Sequence, residues 1–134
     1  MSRLLRFNIV GVLGFGVQLA VLLALERAGW PLVPATLIAV EAAVLHNFVW
    51  HERWTWADVR AGTRPGRLAR FHAANGFISL AGNAGLTAAL AEAGVPVAIA
   101  NMCAVAVCAA ANFAAAHLLV FCDKTWPTFN GHLS

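Results

Sequence analysis

Charged side chains are scarce in this chain. Only 11% of its 134 residues are Asp, Glu, Lys or Arg, and 60% are hydrophobic. Soluble domains carry a charged share of about 25%. A short soluble domain needs charge to cover its surface, so the composition excludes that class. It favours a protein whose solvent is the lipid bilayer.

Cysteine is also rare, and catalytic motifs are missing. Cys103, Cys108 and Cys122 lie in or at the end of the last apolar stretch, with neither metal spacing nor a disulfide framework. We interpret them as small apolar residues of a helix interface. The sequence contains no nucleophile–base arrangement, glycine-rich phosphate loop or paired carboxylates. We therefore expect no enzyme activity, no cofactor and no bound metal.

Four apolar stretches dominate the chain. Each approaches or exceeds the roughly 20 residues that cross a hydrocarbon core. The first is longer than the apolar part of a signal peptide, so we expect it to stay in the mature protein. The pattern predicts an all-α membrane protein with four transmembrane helices. The stretches are Phe7–Leu25, Leu32–Trp50, Phe71–Ala91 and Val95–Phe121.

The net charge of +3 comes from basic residues outside these stretches. They precede the first stretch, fill the segment between the second and third, and follow the fourth. By the positive-inside rule, both termini and the middle segment are predicted to be cytoplasmic. The basicity is thus explained by topology, and we expect no nucleic-acid partner. The residues are Arg3, Arg6, Arg53, Arg60, Arg64, Arg67, Arg70 and Lys124.

The two halves of the chain resemble each other at a spacing of 65 residues. Pro31 corresponds to Pro96 and Asn47-Phe48 to Asn112-Phe113, whereas Arg6-Phe7 matches Arg70-Phe71 with one residue of slippage. The pattern predicts one transmembrane domain made of two sequence-related helical hairpins in the same orientation, as in many transporters. Its parts are repeat 1 (6–56), a cytoplasmic loop (57–69), repeat 2 (70–121) and a tail (122–134).

Polar residues inside the apolar stretches indicate a polar groove. Glu41 is the most costly of them, because an ionised acid at mid-membrane costs about 2.5–3.5 kcal/mol. It is interpreted either as a functional group or as a neutral acid that ties two helices together. Amides that recur in both repeats suit sugar hydroxyls, and they equally suit hydrogen bonds between helices. The predicted groove residues are Glu41, His46, Asn47, Asn112, Gln18 and Asn83.

A cluster of basic and aromatic residues closes the second stretch, from His51 to Trp56. Arginine binds phosphate oxygens in a bidentate manner, and indole rings pack on sugars or lipid chains. The alternative is a topology signal with an aromatic belt. The predicted phosphate and headgroup residues are Arg6, Arg53, Trp54 and Arg70.

Several of these motifs resemble the GtrA-like family of small four-helix membrane proteins. Arg6-Phe7 with Gly11 and the segment from Asn47 to Trp56 are similar to the family's first copy, and Arg70-Phe71 through Phe121 to its second. The resemblance implies flipping of a polyprenyl-phosphate-linked monosaccharide to the outer leaflet, for modification of cell-envelope polysaccharide. It also implies a multi-pass protein of the bacterial inner (plasma) membrane. A separate membrane glycosyltransferase, which makes the lipid-linked sugar, is the implied partner.

The family's Arg-Trp-Thr-aromatic motif falls on residues 53–56, whereas the second copy has His117-Leu118-Leu119 instead. Any phosphate site is therefore expected to be asymmetric. Two other functions stay open: a membrane scaffold that recruits the glycosyltransferase, and a proton-coupled exporter of the small multidrug-resistance type. The absence of an acid from the first apolar stretch counts against the exporter. Four short helices enclose little space, which is compatible with a homodimer.

Overall fold

The computed structural model describes residues 1–59 and 62–122. These residues are almost entirely helical and contain no strand. Three π-helical turns continue or join the α-helices, so that the described chain forms four helical rods. The α-helices are α1 (Arg3–Arg27), α2 (Leu32–Trp50), α3 (Arg64–Phe77), α4 (Asn83–Glu92) and α5 (Val97–Ala115). The π turns are π1 (His51–Thr55) after α2, π2 (Ile78–Gly82) between α3 and α4, and π3 (Ala116–Val120) after α5.

Three helices in the described part of the chain are long and apolar enough to cross a membrane. They are α1, α2 with π1, and α5 with π3. The third predicted stretch lies across α3, π2 and α4, so the helix that carries it contains a wide turn. The structure confirms an all-helical fold with several membrane-length helices. The predicted tail lies outside the described residues from position 123 onward.

The segment between the second and third rods is shorter than predicted. A loop was expected over residues 57–69, but α3 already begins at Arg64. The hydroxyl of Thr63 accepts a hydrogen bond from the Gly66 amide at 3.3 Å, and Pro65 occupies the first turn. A threonine cap followed by proline is a typical helix start. The loop prediction is therefore wrong for residues 64–69, where two helix-start signals stand among the arginines.

The backbone repeats at the same 65-residue spacing as the sequence. α2 follows Pro31 and α5 follows Pro96, so the two helices start 65 positions apart (97 − 32). Both helices are 19 residues long. The preceding turns contain Gly29 at φ +84° and Gly94 at φ +92°. Glycine adopts this left-handed conformation without the steric cost that a side chain imposes. Each tight turn therefore depends on its glycine.

Helix packing depends on small side chains. α1 packs along α2, and α4 packs along α5. Small residues bring helix backbones close in lipid, where hydrophobicity does not drive helices together. Large apolar side chains of the same helices point outward, as expected for surfaces that face lipid. The buried small residues, again 65 positions apart, are Ala35, Ala39 and Ala43 on α2, and Ala100, Ala104 and Cys108 on α5.

The turn π2 accounts for the slippage between the two repeats. From Phe7 to Gly29 the chain advances 22 positions (29 − 7), whereas from Phe71 to Gly94 it advances 23 (94 − 71). A π turn accommodates an extra residue within a continuous helix. α1 is a single α-helix over the equivalent stretch. The second repeat thus keeps its register by widening one turn.

We expect Gly14→Ala to destabilise the contact between α1 and α2. A Cβ atom at Gly14 would lie 2.6 Å from Asn47 Cγ, whereas one at Gly16 meets open space. Overpacking of this kind costs about 1–3 kcal/mol. Gly16→Ala serves as the matched control, since it should stabilise the helix by up to about 1 kcal/mol. Thermal unfolding in detergent micelles, followed by circular dichroism, measures both. Equal shifts for the two variants would contradict close packing at Gly14.

Candidate functional site

A polar groove lies among α1, α2, α3 and α5. Its volume is about 480 Å³, and its apolar wall includes Phe15, Val12 and Val105. Carboxamides dominate the polar wall, and each offers a donor and an acceptor to a ligand hydroxyl. The polar lining residues are Asn8, Asn47, His51, Asn75, Ser79 and Asn112. The groove thus opens at the bundle surface beside Val12 and Phe15 and carries amides along its polar wall.

Asn47 and Asn112 occupy equivalent places in the two repeats and meet equivalent neighbours. Asn47 packs against Gly14 of α1, and Asn112 donates a 3.1 Å hydrogen bond from Nδ2 to Ser79 Oγ. Both neighbours are again 65 positions apart (79 − 14). The Oδ1 atom of Asn112 is buried and accepts no hydrogen bond in the described part of the chain. The groove therefore has related walls that differ in their hydrogen bonding.

One end of the groove is closed by a buried aromatic cluster, which we call the aromatic floor: Phe7, Phe48, His51, Trp56, Phe71, Phe113 and Phe121. The π turns bring its central pair together. The Trp56 amide bonds the His51 carbonyl at 2.8 Å, and the Phe121 amide bonds the Ala116 carbonyl at 2.8 Å. Trp56 and Phe121 then stack with centroids 4.7 Å apart and an interplanar angle of 5°.

Two polar atoms of the aromatic floor, Trp56 Nε1 and His51 Nδ1, are hydrogen-bonded. Trp56 Nε1 donates to His117 Nδ1 at 3.1 Å, which connects π1 to π3. The His51 ring is only 1% exposed; it stacks on Phe7 at 4.6 Å, and its Nδ1 is hydrogen-bonded to Thr55 Oγ1 at 3.0 Å. Since a buried polar group without a partner is costly, these bonds hold the rings in place. Phe7, His51 and Phe71 also line the groove, so the aromatic floor closes the groove at the end where the π turns lie.

An arginine cleft lies at the same end of the bundle. We define it by Glu52, Arg53, Arg64 and Arg67; its volume is about 560 Å³. The first two residues belong to π1 and the last two to the first turns of α3. Arg64 donates from Nε to Glu52 Oε2 at 2.7 Å, and Arg67 donates to the other Glu52 oxygen and, at 3.1 Å, to the Gly62 carbonyl. Glu52 therefore bridges two arginines that differ in burial: the Arg64 side chain is 56% exposed and that of Arg67 is 9% exposed.

The four predicted phosphate residues do not form one site. Arg53 lines the arginine cleft and is exposed. Arg6 instead donates to the Trp54 carbonyl at 3.0 Å and lies over the Trp54 ring at 5.7 Å, so these two residues fasten π1 to α1. Arg70 is exposed near Gly62 and Gly66 and is not among the residues that line the cleft.

The predicted groove residues are also separated. Asn47 and Asn112 line the groove, and His46 lies behind Asn47, with its Nδ1 3.2 Å from Asn47 Oδ1. Glu41 is elsewhere: it is about half exposed on the face of α2 next to α3, where it pairs with His72 Nε2 at 3.3 Å. Gln18 and Asn83, both half-buried, do not line the groove as described.

Glu52, Arg64 and Arg67 were missed as site residues. The sequence did contain a signal for the two arginines: Thr63 and Pro65 start a helix, and residues three apart in a helix share a face. Among residues 1–59 and 62–122, no group of three or more His, Cys, Asp or Glu side chains is placed to hold a metal ion. The arginines that line the cleft suit it to an anion.

Comparison with known proteins identifies the family. Residues 6–124 match the family model described as GtrA/DPMS, transmembrane domain. The chain belongs to this family. The match confirms the GtrA-like resemblance of the sequence and, with the three membrane-length helices, makes the chain a multi-pass membrane protein.

A curated relative matches part of the chain. Over 73 residues it is 38% identical to a dolichol-phosphate mannosyltransferase from Pyrococcus furiosus. The aligned segment covers 54% of this chain and 21% of the relative, so the chain spans about a fifth of that protein's length. The similarity therefore concerns a small part of the transferase.

We expect Trp56→Ala to destabilise the aromatic floor by about 3–5 kcal/mol, because it removes a fully buried ring and the hydrogen bond to His117. Trp50→Ala is the matched control: Trp50 is 46% exposed, and its loss should cost about 0.5 kcal/mol or less. Chemical unfolding in detergent micelles measures the two differences. Similar losses for both variants would argue against a central role for Trp56.

Proposed function

We propose that this protein flips a polyprenyl-phosphate-linked monosaccharide from the cytoplasmic to the outer leaflet of the bacterial inner membrane, for modification of envelope polysaccharide. The observation that carries the proposal is the amide-lined groove between the helices of an apolar bundle. Carboxamides suit sugar hydroxyls. Polar groups are costly in lipid, so their presence together in one groove indicates a function. Family membership and the dolichol-phosphate relative support the same class of lipid.

The orientation is inferred from charge. The arginine cleft, the start of α1 and the start of α3 lie at one end of the bundle, and the tight turns with Gly29 and Gly94 lie at the other. The excess of arginine at the first end favours a cytoplasmic location for it. Both termini are then cytoplasmic, and a lipid-linked sugar made in the cytoplasm first meets the arginine-rich end.

The proposed path uses two environments at once. The arginine-rich end attracts the phosphate, the sugar passes along the groove beside Asn47 and Asn112, and the prenyl chain stays in lipid against the outward apolar side chains. The aromatic floor borders the groove through His51 and packs against Val59, which also lines the arginine cleft. Passage of a sugar from the cleft into the groove therefore requires the floor to move. No covalent bond changes, so the proposed activity is transport without catalysis.

A second candidate is a scaffold that recruits a polyprenyl-phosphate glycosyltransferase. One observation favours it: the segment similar to this chain is a minor part of a protein named as a mannosyltransferase. The proton-coupled exporter gains no such support, because Glu41 pairs with His72 between α2 and α3 and does not line the groove.

Flipping is testable in proteoliposomes that contain polyprenyl-phosphate glucose, mannose or arabinose. The measured quantity is the fraction of sugar that external periodate oxidises. In protein-free vesicles only the outer leaflet should react, whereas a flippase should expose nearly all of one lipid. If none of the three lipids becomes accessible while the protein still co-purifies with a glycosyltransferase, the scaffold is favoured.

We expect Asn112→Leu and Asn47→Leu each to slow flipping about tenfold, because each removes a hydrogen-bonding amide from the groove. Asn101→Leu is the matched control on α5: Asn101 is exposed and bonds Thr87 at 3.3 Å, away from the groove. The rate of periodate accessibility gives the comparison. An equal loss in all three variants would indicate damage to the bundle and not to a sugar path.

A further inference from the structure

The arginine cleft has more hydrogen-bond donors than its carboxylate uses. Three arginines line it with one glutamate, Glu52. Arg64 reaches Glu52 through Nε, and its two terminal amino groups make no hydrogen bond with any residue that the structure describes. Arg53 is exposed and makes no hydrogen bond or ion pair with any residue that the structure describes. The cleft therefore presents a positive, partly unpaired surface to an incoming anion.

The position of the cleft strengthens this preference. It lies at the beginning of α3, a helix of 14 residues whose N-terminal end carries partial positive charge. Arg67 is nearly buried and is held by Glu52 and the Gly62 carbonyl. The Arg67 side of the cleft is thus fixed before a ligand arrives, whereas Arg53 is exposed and Arg64 is held only by the exchangeable ion pair with Glu52.

We infer that the arginine cleft binds the phosphate group of a lipid headgroup, and that Glu52 is an internal counter-ion which this phosphate displaces from Arg64. The inference rests on the proposed function and deepens it. Guanidinium groups hold phosphate oxygens through paired, charge-assisted hydrogen bonds. In the free protein, the Glu52 carboxylate accepts a hydrogen bond from the Arg64 guanidinium in the place of a phosphate. It satisfies Arg64 when no ligand is bound, and it returns to Arg64 when the phosphate leaves.

The turn π1 connects this phosphate site to the groove. Glu52 lines the cleft, and the preceding residue, His51, lines the groove. A headgroup with its phosphate in the cleft therefore has its sugar next to the aromatic floor. Glu52, His51 and Thr55 belong to the same five-residue turn, so the phosphate site and the aromatic floor share one structural element.

Binding is tested by titration calorimetry of the full chain in detergent micelles. The probe is farnesyl phosphate; farnesol, inorganic phosphate and lysophosphatidylglycerol are compared with it. We expect farnesyl phosphate to bind at least about tenfold more tightly than farnesol. Equal affinity for inorganic phosphate would assign the site to free phosphate, and equal affinity for the lysolipid to phospholipid; either overturns the lipid-linked substrate as its ligand. Equal affinity for farnesol overturns the phosphate site itself.

Variants distinguish the cleft from general positive charge. Arg53→Gln and Arg64→Gln should each weaken farnesyl phosphate about tenfold. Arg53 is exposed and makes no polar contact within residues 1–59 and 62–122, so its replacement should leave the fold intact. Arg27→Gln is the matched control, since it removes one exposed positive charge at the opposite end of α1 and should leave affinity unchanged. Equal weakening by Arg27→Gln would overturn the site.

Glu52→Gln tests the counter-ion directly. We expect it to tighten farnesyl phosphate about threefold or more, because the phosphate no longer competes with a carboxylate. Unchanged or weaker binding overturns the counter-ion role. The flipping assay separates the two proposals: phosphate binding through Arg53 without any flipping would preserve this inference and refute the proposed function. Flipping that is insensitive to Arg53→Gln would do the reverse.

Discussion

The stack of Trp56 on Phe121 lies at the centre of the contacts that unite the two halves of this protein. The first helix also contacts α5, and α2 contacts α3. Each half is held together locally, by α1 along α2 and by α4 along α5, and such contacts alone would leave two independent helical pairs. The stacked rings, with the hydrogen bond to His117, join π1 to π3 at one end of the bundle. Stacked aromatic pairs contribute about 0.5–1.5 kcal/mol beyond the area that they bury. The groove wall and the arginine cleft are both built on the turn that this contact fixes.

Much of the helical framework could be predicted from sequence, because helix length and apolar composition determine it. The predicted stretch Leu32–Trp50 has the bounds of α2, and the 65-residue spacing reappears in helix starts, caps and turns. The π turns could not be predicted in this way. The turn π2 accompanies one extra residue in the second repeat, and π1 and π3 accompany rings that meet across the bundle. Neither feature changes the local amino-acid composition. The start of α3 was missed because arginines were interpreted as loop residues, although Thr63 and Pro65 carried the opposite signal.

Recurrence in both repeats located part of the groove. Asn47 and Asn112 recur at equivalent positions and indeed line one groove. Gln18 and Asn83 also recur but do not line it, and Arg53 of the arginine cleft was predicted without a repeat partner. Glu41 lies six positions before Asn47, and six steps of about 100° place it roughly 240° around the helix, away from the groove. The free-energy cost of an acid in lipid made Glu41 conspicuous in the sequence, but that cost does not indicate which side of the helix the residue lies on. Glu52 meets Arg64 and Arg67 only because π1 contacts α3. These partners are 12 and 15 residues from Glu52, a separation that gives no periodic signal in the sequence.

The difference between Trp56 and Phe121 has a consequence for how such a bundle can arise and work. Two identical helical pairs assembled around a twofold axis would have to place like against like, Trp on Trp or Phe on Phe. In the continuous chain, the same backbone position holds an indole with a donor in one half and a plain ring in the other. Fusion of the halves therefore frees each wall to evolve separately. A molecule that enters between them meets two different chemical surfaces on one nearly symmetric frame, and that difference gives it a defined orientation.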